Sequence, residues 1–306
     1  MIKVSVILPV YNVAPYLQET LDSLIHQTLS DIEIIAVNDG STDQSEEILR
    51  QYQEADSRLT YYNQPNQGQS AARNQALKHA TGKYIYFMDA DDVLDLNALA
   101  ECYDYTEQTN ADFIFFDGDI MQEEGAAPLS WNYHRTHLLE EHCCYRGEDL
   151  LNLMLDKQKH NCVVWLLFIR KDYLDRSGLS FYEGIIHEDE LFTAILTLRS
   201  DTIYCLKRSF VKHRVRSAST MGARYSKRNI NCYLTVIDEL LRFQDSALTR
   251  KYAYYTLSKV FYTGHLIPLK EKPAVFWRAV VSGYLKFIGL KSALVFWLKR
   301  RPSIRK

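Results

Sequence analysis

The residues that most clearly suggest chemistry stand at 89–92, where the apolar segment 84–88 (YIYFM) ends in Asp89, Asp91 and Asp92. Three carboxylates within four positions repel one another unless water or a positive charge offsets the repulsion. One interpretation is an acidic turn exposed to water. The other is a site for a divalent cation, because hard cations prefer clustered carboxylate oxygens. The stretch alone leaves both interpretations open.

Two other polar groups qualify as candidate sites. Asn38 to Asp43 (NDGSTD) predicts a turn before a helix and leaves Asp39 free to accept a hydrogen bond from an imide N–H such as that of uracil. Glu188 and Asp189 belong to an acidic run at the start of a predicted helix. Acids in a first helical turn favour the helix dipole, so simple helix-start electrostatics explain this run when it is taken alone.

The first half of the chain alternates strand and helix patterns, which predicts an α/β fold with a mostly parallel sheet covered by helices on both faces. In such sheets ligands bind outside the carboxyl ends of the strands. The polar residues at 9–12, 38–43, 66–68 and 89–92 each follow a predicted strand and should therefore converge on one edge. The predicted strands are Val4–Pro9, Ile32–Val37, Leu59–Asn63, Tyr84–Met88 and Phe113–Phe116, and the predicted helices between them are Ala14–Gln27, Gln44–Gln53, Gln69–His79 and Asn97–Gln108.

The last third of the chain is predicted to be helical and its end is basic. Residues 270–306 hold ten Lys or Arg and one acid, although the whole chain has a net charge of −2. The predicted third helix combines Trp and Phe with Arg278, Ser282, Lys286 and Gly289 near one another. It is typical of a helix that lies on an anionic membrane surface, and the alternative is that its apolar side packs on the domain. The predicted helices are Ser226–Gln244, Lys251–Leu266, Pro273–Ile288 and a piece from about Lys291.

The composition of the chain limits the class of protein, its compartment and its partners. The 306 residues, 47% of them hydrophobic, are enough to bury a substantial core. Six cysteines form no CxxC pair, and the first residues (MIKVSVILPVYN) have a strand pattern rather than that of a cleavable leader, so we expect a reducing cytoplasm. No nucleic-acid partner is expected, because most of the chain is acidic and phosphate backbones would repel it.

The order of these strand-end motifs resembles the family 2 glycosyltransferases of the GT-A fold, a Rossmann-like α/β fold. The likeness covers about residues 2–215 and implies a domain at 1–222, with a donor half to about 118 and an acceptor half at about 119–222. A helical extension at 223–306 would follow. The matching segments are Val4–Asn12 (VSVILPVYN), Ile34–Asp43 (IIAVNDGSTD), Asn66–Asn74 (NQGQSAARN), Phe87–Asp92 (FMDADD) and Glu188–Phe192 (EDELF).

The resemblance implies an enzyme that moves a sugar from a nucleotide diphosphate, usually UDP, to an acceptor hydroxyl. By the same resemblance, Pro9 and Tyr11 would line the pocket for the nucleobase, and Asp39 would accept a hydrogen bond from the uracil imide N–H. Arg73 would lie close to the diphosphate and to the acidic turn.

The resemblance also assigns the acids. Asp89 and Asp91 would form a DxD motif that binds Mn²⁺ or Mg²⁺, with Asp91 the more direct ligand, and this favours the cation interpretation of the turn. Asp189 would be the general base of an inverting displacement. Glu188 would be its partner or an acceptor contact.

Beyond Asp189 the likeness is thinner. Lys212–Ser219 resembles a segment that closes over the diphosphate, with Arg216 as a phosphate contact and His213 as an additional metal or phosphate ligand; the alternative is a solvated basic strand and loop. Many relatives carry Trp-Asn-Lys where this chain has Trp165-Leu166-Leu167. Trp165 is therefore expected either to stack on a sugar or to be a core aromatic.

These observations predict a cytoplasmic, metal-dependent inverting transferase on the inner face of a membrane. Its acceptor would be a lipid-linked or oligosaccharide glycan in capsule, exopolysaccharide or lipopolysaccharide assembly. A processive synthase is disfavoured because the sequence has neither a Q-x-x-R-W motif nor an apolar run of about 20 residues. A catalytically silent nucleotide-sugar or membrane-binding protein of the same fold is the remaining alternative.

Overall fold

The computed structural model describes residues 1–123, 132–216 and 225–299. Within them, eight strands form one mixed sheet in the order β3-β2-β1-β4-β7-β6-β8-β5. The strands are β1 (Val4–Val10), β2 (Ile32–Asn38), β3 (Leu59–Asn63), β4 (Tyr84–Phe87), β5 (Val93–Leu94), β6 (Phe113–Gln122), β7 (Leu167–Arg170) and β8 (Ile203–Val215).

Helices cover both faces of this sheet. In the first part of the chain they connect parallel strands, as the alternating pattern predicts. The helices in the described residues are α1 (Ala14–Ile25), α2 (Ser45–Ala55), α3 (Gln69–Leu77), α4 (Ala98–Thr109), α5 (Gly147–Asp156), α6 (Lys171–Ser177), α7 (Glu188–Arg199), α8 (Lys227–Phe243), α9 (Ala247–Thr263), α10 (Lys272–Val281) and α11 (Leu290–Leu298).

The four strands β3, β2, β1 and β4 are mutually parallel neighbours, so their carboxyl ends meet at one edge. Backbone hydrogen bonds continue past the strand ends: the Asp39 N–H donates to the Val10 carbonyl and the Met88 N–H donates to the Ile7 carbonyl. Strands β1, β2 and β4 are buried along almost their whole length because both faces of the sheet are covered, whereas only Leu59 of the edge strand β3 is buried. The fold therefore holds Asp39 and the 89–92 turn beside the end of β1.

The second half of the sheet brings basic residues to the same edge. The short strand β5 runs antiparallel to the end of β8, with Val93 opposite Lys212 and Leu94 opposite Val211. Because the register is antiparallel, the residues just before Val93 face those just after Lys212. Asp91 and Asp92 consequently lie beside the stretch 213–216.

Helices α8 to α11 pack on the sheet domain through α5 and α7. One buried apolar cluster includes Leu151 of α5, Leu191 of α7, Ile237 of α8, Phe261 of α9 and Phe296 of α11. The predicted boundary at residues 222–223 lies outside the described residues. The described part of the chain contains no helix both long and apolar enough to cross a bilayer.

The predicted helix Pro273–Ile288 is wrong in its second half. Helix α10 ends at Val281, Gly283 adopts a left-handed φ of 69°, and a single 3₁₀ turn follows at Tyr284–Phe287. The predicted grouping of Arg278 with Lys286 is also broken. Arg278 lies within α10 and donates to the Asn231 carbonyl of α8 at 3.0 Å, whereas Lys286 follows the change of direction at Gly283.

Candidate active site

Asp89 is the first acid of the strand-end turn, which we define as Asp89 to Asp92. Its Oδ1 accepts hydrogen bonds at 3.0 Å from Arg73 Nη2 and at 3.0 Å from Gln69 Nε2. Both donors belong to α3, whose first turn approaches the end of β4. Asp89 Oδ2 has no protein partner within the described residues.

Asp91 points to the other side of the turn and pairs with Arg216. Its Oδ2 accepts from Arg216 Nε at 2.8 Å, and its carbonyl accepts from Arg214 Nε at 2.9 Å. Both guanidinium groups lie over the ring of Tyr16, at 5.1 and 5.0 Å from its centroid. Burial, with the nearby charge of Asp89, raises the pKa of the Asp91 carboxyl above its ordinary value.

Asp92 is fully buried and holds His213. Its Oδ2 lies 2.9 Å from His213 Nδ1, and its Oδ1 accepts from the Arg214 N–H at 2.8 Å. The His213 ring stacks on Trp165, with centroids 5.0 Å apart and planes at 13°. Burial raises the pKa of Asp92 to about 6 although His213 acts to lower it. The imidazole is thus fixed in position and orientation, with only Nε2 left for a ligand.

Arg73 joins the strand-end turn to the helix-start segment, which we define as His187 to Glu190. The arginine is 1% exposed, and its Nη1 donates to Glu188 Oε1 at 2.9 Å and to Asp189 Oδ1 at 2.8 Å. Burial alone would lower the pKa of Arg73, but the charges of Asp189, Asp89 and Glu188 raise it above its ordinary value. One guanidinium therefore serves three carboxylates that are distant in sequence.

Asp189 has the environment of a carboxylate that exchanges protons near neutral pH. Its Oδ2 accepts from the Val164 N–H at 3.3 Å, and its side chain is 19% exposed. Burial raises the pKa of Asp189 to about 7; Arg73 opposes that rise, and Glu188 and Asp89 add to it. A group that is half ionised near pH 7 is well matched to accept a proton in catalysis.

Asp39 is more engaged than the sequence suggested. Its Oδ1 accepts from Gln64 Nε2 at 2.7 Å and from the Gln67 N–H at 2.8 Å, and its Oδ2 accepts from the Gly68 N–H at 2.8 Å. The expectation that this carboxylate is free of structural contacts is therefore wrong: it fixes the loop before α3. Oδ2 accepts only one of these bonds and has a further lone pair, so a bond to a nucleobase stays a prediction.

The two residues predicted to line a base pocket differ in exposure. Pro9 is buried inside β1, opposite Val37 of β2. Tyr11 follows the strand and is 48% exposed, so its ring is available to a ligand at the strand-end edge.

Trp165 is a core aromatic and has little surface to offer a sugar. It is 2% exposed, stacked on His213 and edge-on to Tyr133. Gly118 of β6 makes room for it, because a Cβ there would lie 2.8 Å from Trp165 Cζ3. Trp165 therefore supports the site by holding a histidine.

Sequence reasoning missed several supporting groups. It gave Asp92 no role beyond the turn, and it did not identify Gln69, Tyr16 or the Val164 N–H. Gln69 stands four residues before Arg73, so both lie on one helical face, and that spacing was a usable signal. The other contacts join residues too distant in sequence to leave a local pattern.

The candidate metal ligands are Asp89, Asp91 and His213. In the ranges that the structure describes, no three His, Cys, Asp or Glu side chains converge closely enough to hold an ion by themselves. Asp89 and Asp91 each keep one carboxylate oxygen outside the arginine pairs. This donor set fits Mg²⁺ or Mn²⁺, which proteins often bind through one or two carboxylates, with substrate phosphates and water completing the shell.

Comparisons with known proteins agree with the fold and the motifs. The profile described as "Glycosyl transferase family 2" matches residues 5–178. The uncharacterized glycosyltransferase YibD of Escherichia coli (strain K12) is 32% identical over 238 residues, which are 75% of this chain and 66% of that protein. The minor teichoic acid biosynthesis protein GgaB of Bacillus subtilis (strain 168) is 30% identical over 243 residues, 75% of this chain and 25% of that protein. The chain thus spans less than two thirds of each of these relatives.

A solved structure shares the fold. TarS of S. aureus (residues 1–349), in complex with UDP-GlcNAc, superposes with a TM-score of 0.72 over 96% of this chain and 83% of that one, at 21% identity. The likeness confirms the predicted GT-A fold, with its curled sheet and flanking helices.

Proposed function

The chain belongs to glycosyl transferase family 2, and on that premise we propose that it is an inverting glycosyltransferase using a UDP-sugar donor. The observation that carries the proposal is the contact of Arg73 with both Asp89 and Asp189. It links a donor-side carboxylate to a carboxylate suited to be a base. A transfer reaction needs these two functions on either side of the sugar that moves.

The strand-end edge would receive the donor. Tyr11 is exposed there, Pro9 precedes it in β1, and Asp39 lies beside the end of β1. The complex of TarS with UDP-GlcNAc supports a UDP-sugar on this fold. Asp39 would accept the uracil imide N–H while it keeps the loop before α3 in place.

Asp89 and Asp91 would hold Mn²⁺ or Mg²⁺, with His213 Nε2 as an additional ligand to the metal or the diphosphate. When bound, such a cation neutralises charge on the leaving diphosphate. Arg216 would move from Asp91 to a phosphate oxygen, since a cation would take its place beside that carboxylate. Arg73 would act on the donor indirectly, by fixing Asp89.

Asp189 would take the proton of the acceptor hydroxyl as that oxygen attacks the sugar carbon and the bond to the diphosphate breaks. A single displacement of this kind inverts the configuration. Glu188, which shares Arg73 with Asp189, would hold the guanidinium in place or contact the acceptor.

The acceptor would be a lipid-linked or oligosaccharide intermediate of a cell-surface glycan, as the likeness to a teichoic acid biosynthesis protein suggests. The enzyme would then be cytoplasmic and peripheral on the inner face of the membrane. A surface formed by residues 269–299 supports the contact with lipid, and the basic residues from Arg300 onward lie outside the described residues. Exposed Lys270, Lys286, Lys291 and Lys299 accompany these exposed apolar side chains: Leu269, Trp277, Val281, Leu285, Leu290, Leu294, Trp297 and Leu298.

The enzyme assay would measure UDP release with Mn²⁺ from UDP-glucose, UDP-galactose, UDP-GlcNAc and UDP-GalNAc. We expect turnover of one donor and a loss of about 10²- to 10⁴-fold in Asp189→Asn, with donor binding retained. Asp91→Ala should lose turnover together with metal-dependent UDP binding. UDP binding without turnover of any donor would favour the catalytically silent alternative.

The membrane contact can be tested by sedimentation with vesicles of phosphatidylglycerol or of phosphatidylcholine. We expect the protein to sediment with the anionic vesicles and to do so less after Trp277→Ala with Trp297→Ala, because both indoles are exposed. Leu96→Ala, which removes an exposed apolar side chain from the donor half, is the matched control. Equal sedimentation of all three proteins would remove 269–299 as the lipid-binding surface.

A further inference from the structure

Glu190 follows the proposed base directly but turns away from Arg73 and into the C-terminal helices. The hydroxyl of Tyr252 on α9 donates to Glu190 Oε2 at 2.5 Å, and it also lies 3.3 Å from the Glu190 carbonyl. Tyr252 is fully buried. Burial, and then the charge of Glu190, raise the pKa of Tyr252 well above its ordinary value, so the phenol stays a donor.

The residue that precedes the acidic pair is also held from the C-terminal helices. His187 adopts a left-handed backbone conformation (φ 69°, ψ 30°), which is unfavourable for a residue with a side chain. Its ring stacks on Tyr233 of α8, with centroids 4.2 Å apart, and its Nε2 lies 3.3 Å from Asn229 Nδ2. Helix α8 therefore stabilises the sharp turn that starts α7.

The Glu190 carboxylate also lies close to the segment that supplies the second hydrogen-bond partner of Asp189, the proposed base. Val164 donates its N–H to Asp189, and four residues before it His160 Nε2 lies 3.9 Å from Glu190 Oε2. The His160 ring packs edge-on against Tyr252 at 5.1 Å. Both supports of Asp189, helix α7 and the Val164 segment, thus meet at Glu190 and Tyr252.

We propose that Tyr252 and Glu190 are positioning residues, through which the C-terminal helices set the orientation of the base. This inference rests on the proposed role of Asp189. A general base works only within hydrogen-bond reach of the proton that it removes, and a misplacement of about 1 Å can cost about 100-fold in rate. The helical extension then belongs to the acceptor side of the active site as well as to the surface that faces lipid.

The test is Tyr252→Phe in the full chain, with UDP release measured for the donor that the wild type turns over. We expect kcat to fall roughly 10- to 100-fold, while the donor KM and the affinity for UDP stay within about twofold. Tyr254→Phe is the matched control, because Tyr254 is on the same helix but 51% exposed. It should behave as the wild type.

Two further variants separate positioning from folding. Glu190→Gln keeps an oxygen for the Tyr252 hydroxyl and should keep most of the activity that Glu190→Ala loses. If Tyr252→Phe does not fold, the comparison of Glu190→Gln with Glu190→Ala carries the test, because these variants change the same hydrogen bond from its acceptor side. A lower melting temperature with an unchanged kcat would overturn the positioning role.

Asp189→Asn is assayed in parallel, so that the two proposals can fail separately. An inactive Asp189→Asn together with a fully active Tyr252→Phe would overturn only the positioning role. An active Asp189→Asn, or no UDP release by the wild type, would overturn the proposed function and this inference with it.

Discussion

The strand-end turn and the helix-start segment carry the acids of one site, but they are supported in different ways. In the turn, the three acids face three different groups: Arg73 for Asp89, Arg216 for Asp91 and His213 for Asp92. In the helix-start segment, Glu188 and Asp189 share the same Arg73.

The two regions are therefore suited to two different tasks, which are binding a ligand and exchanging a proton. Carboxylates that each have a partner are held in place to bind a ligand. Asp189 is paired with a guanidinium that two other carboxylates also use, and burial raises its pKa to about 7, so it can exchange a proton near neutral pH. Arg73 couples the tasks, so the distinction predicts which substitutions damage both regions and which damage only one.

Arg73→Met should have the largest effect, because it breaks the contact between the regions. Asp89, Glu188 and Asp189 would lose their shared counter-charge. Removing one partner of a buried ion pair costs about 3–5 kcal/mol of stability. We expect a loss of that size in urea denaturation, and a loss of roughly 10²- to 10³-fold in UDP release from the fraction that folds.

The Arg73→Lys variant separates the effect of charge from that of geometry, because a single ammonium group cannot replace a guanidinium that reaches three carboxylates. It should fold better than Arg73→Met and still lose most activity. Arg50→Met is the control on exposed α2, where Arg50 pairs with Glu47 and Glu54. Wild-type activity in Arg73→Lys would show that a point charge suffices and that the fork geometry is irrelevant.

Asp92→Asn should damage the strand-end turn alone. The asparagine oxygen would keep the Arg214 N–H, and its amide would donate to His213 Nδ1. That bond forces the proton onto Nε2, which then cannot coordinate a metal ion. Partners that orient a ligating histidine typically contribute about 10- to 100-fold in metal affinity.

Titration calorimetry of Mn²⁺ in the presence of UDP measures this effect. Asp104→Asn, an exposed acid on α4, is the control and should leave the affinity unchanged. Unaltered Mn²⁺ binding in Asp92→Asn would mean that His213 does not contact the metal. Asp92 would then only help to hold β8 beside the turn.

The strand-end turn was largely predictable from the sequence, because local patterns determine it. Four apolar runs fix four parallel strands, and parallel strands bring the residues that follow them to one edge. The predicted strands and first four helices match the structure to within about two residues, except that β6 continues to Gln122. Position alone made Asp89 and Asp91 candidate site residues, whereas their role as a DxD motif came from the family resemblance and stays a prediction.

The helix-start segment was predictable only as an acidic helix start. Its partners are Arg73, 116 positions away from Asp189, and Tyr252, 62 positions away from Glu190. Contacts between residues so far apart in the sequence leave no periodic pattern in it. The sequence left the burial of Trp165 open and missed the contact of Arg278 with α8 for the same reason: long-range packing decides which side of an apolar residue or a helix meets solvent.

The smallest predicted effect is on pH dependence, and it concerns the helix-start segment. With a pKa of about 7, Asp189 is protonated on the acid side and cannot accept a proton there. UDP release at low donor concentration should therefore fall about tenfold for each pH unit below 7. Asp92 titrates at about 6, so the profile is repeated in Asp92→Asn. If the decrease in UDP release at low pH persists in that variant, it belongs to Asp189. If the decrease disappears, it belongs to the strand-end turn.

The contribution of Asp189 to the stability of the fold should fall as the pH rises, whereas the activity should rise. The folded-state pKa of Asp189 lies above the ordinary value of 3.8, so folding favours its neutral form. That contribution is fully present below about pH 4 and is lost as the pH rises through about 7. Asp189→Asn, which is neutral at every pH, should gain stability relative to the wild type between pH 5 and pH 8 in metal-free urea denaturation. An equal difference at both pH values would mean that the protonation state of Asp189 does not change between them, and the fall in activity at low pH would then belong to another group.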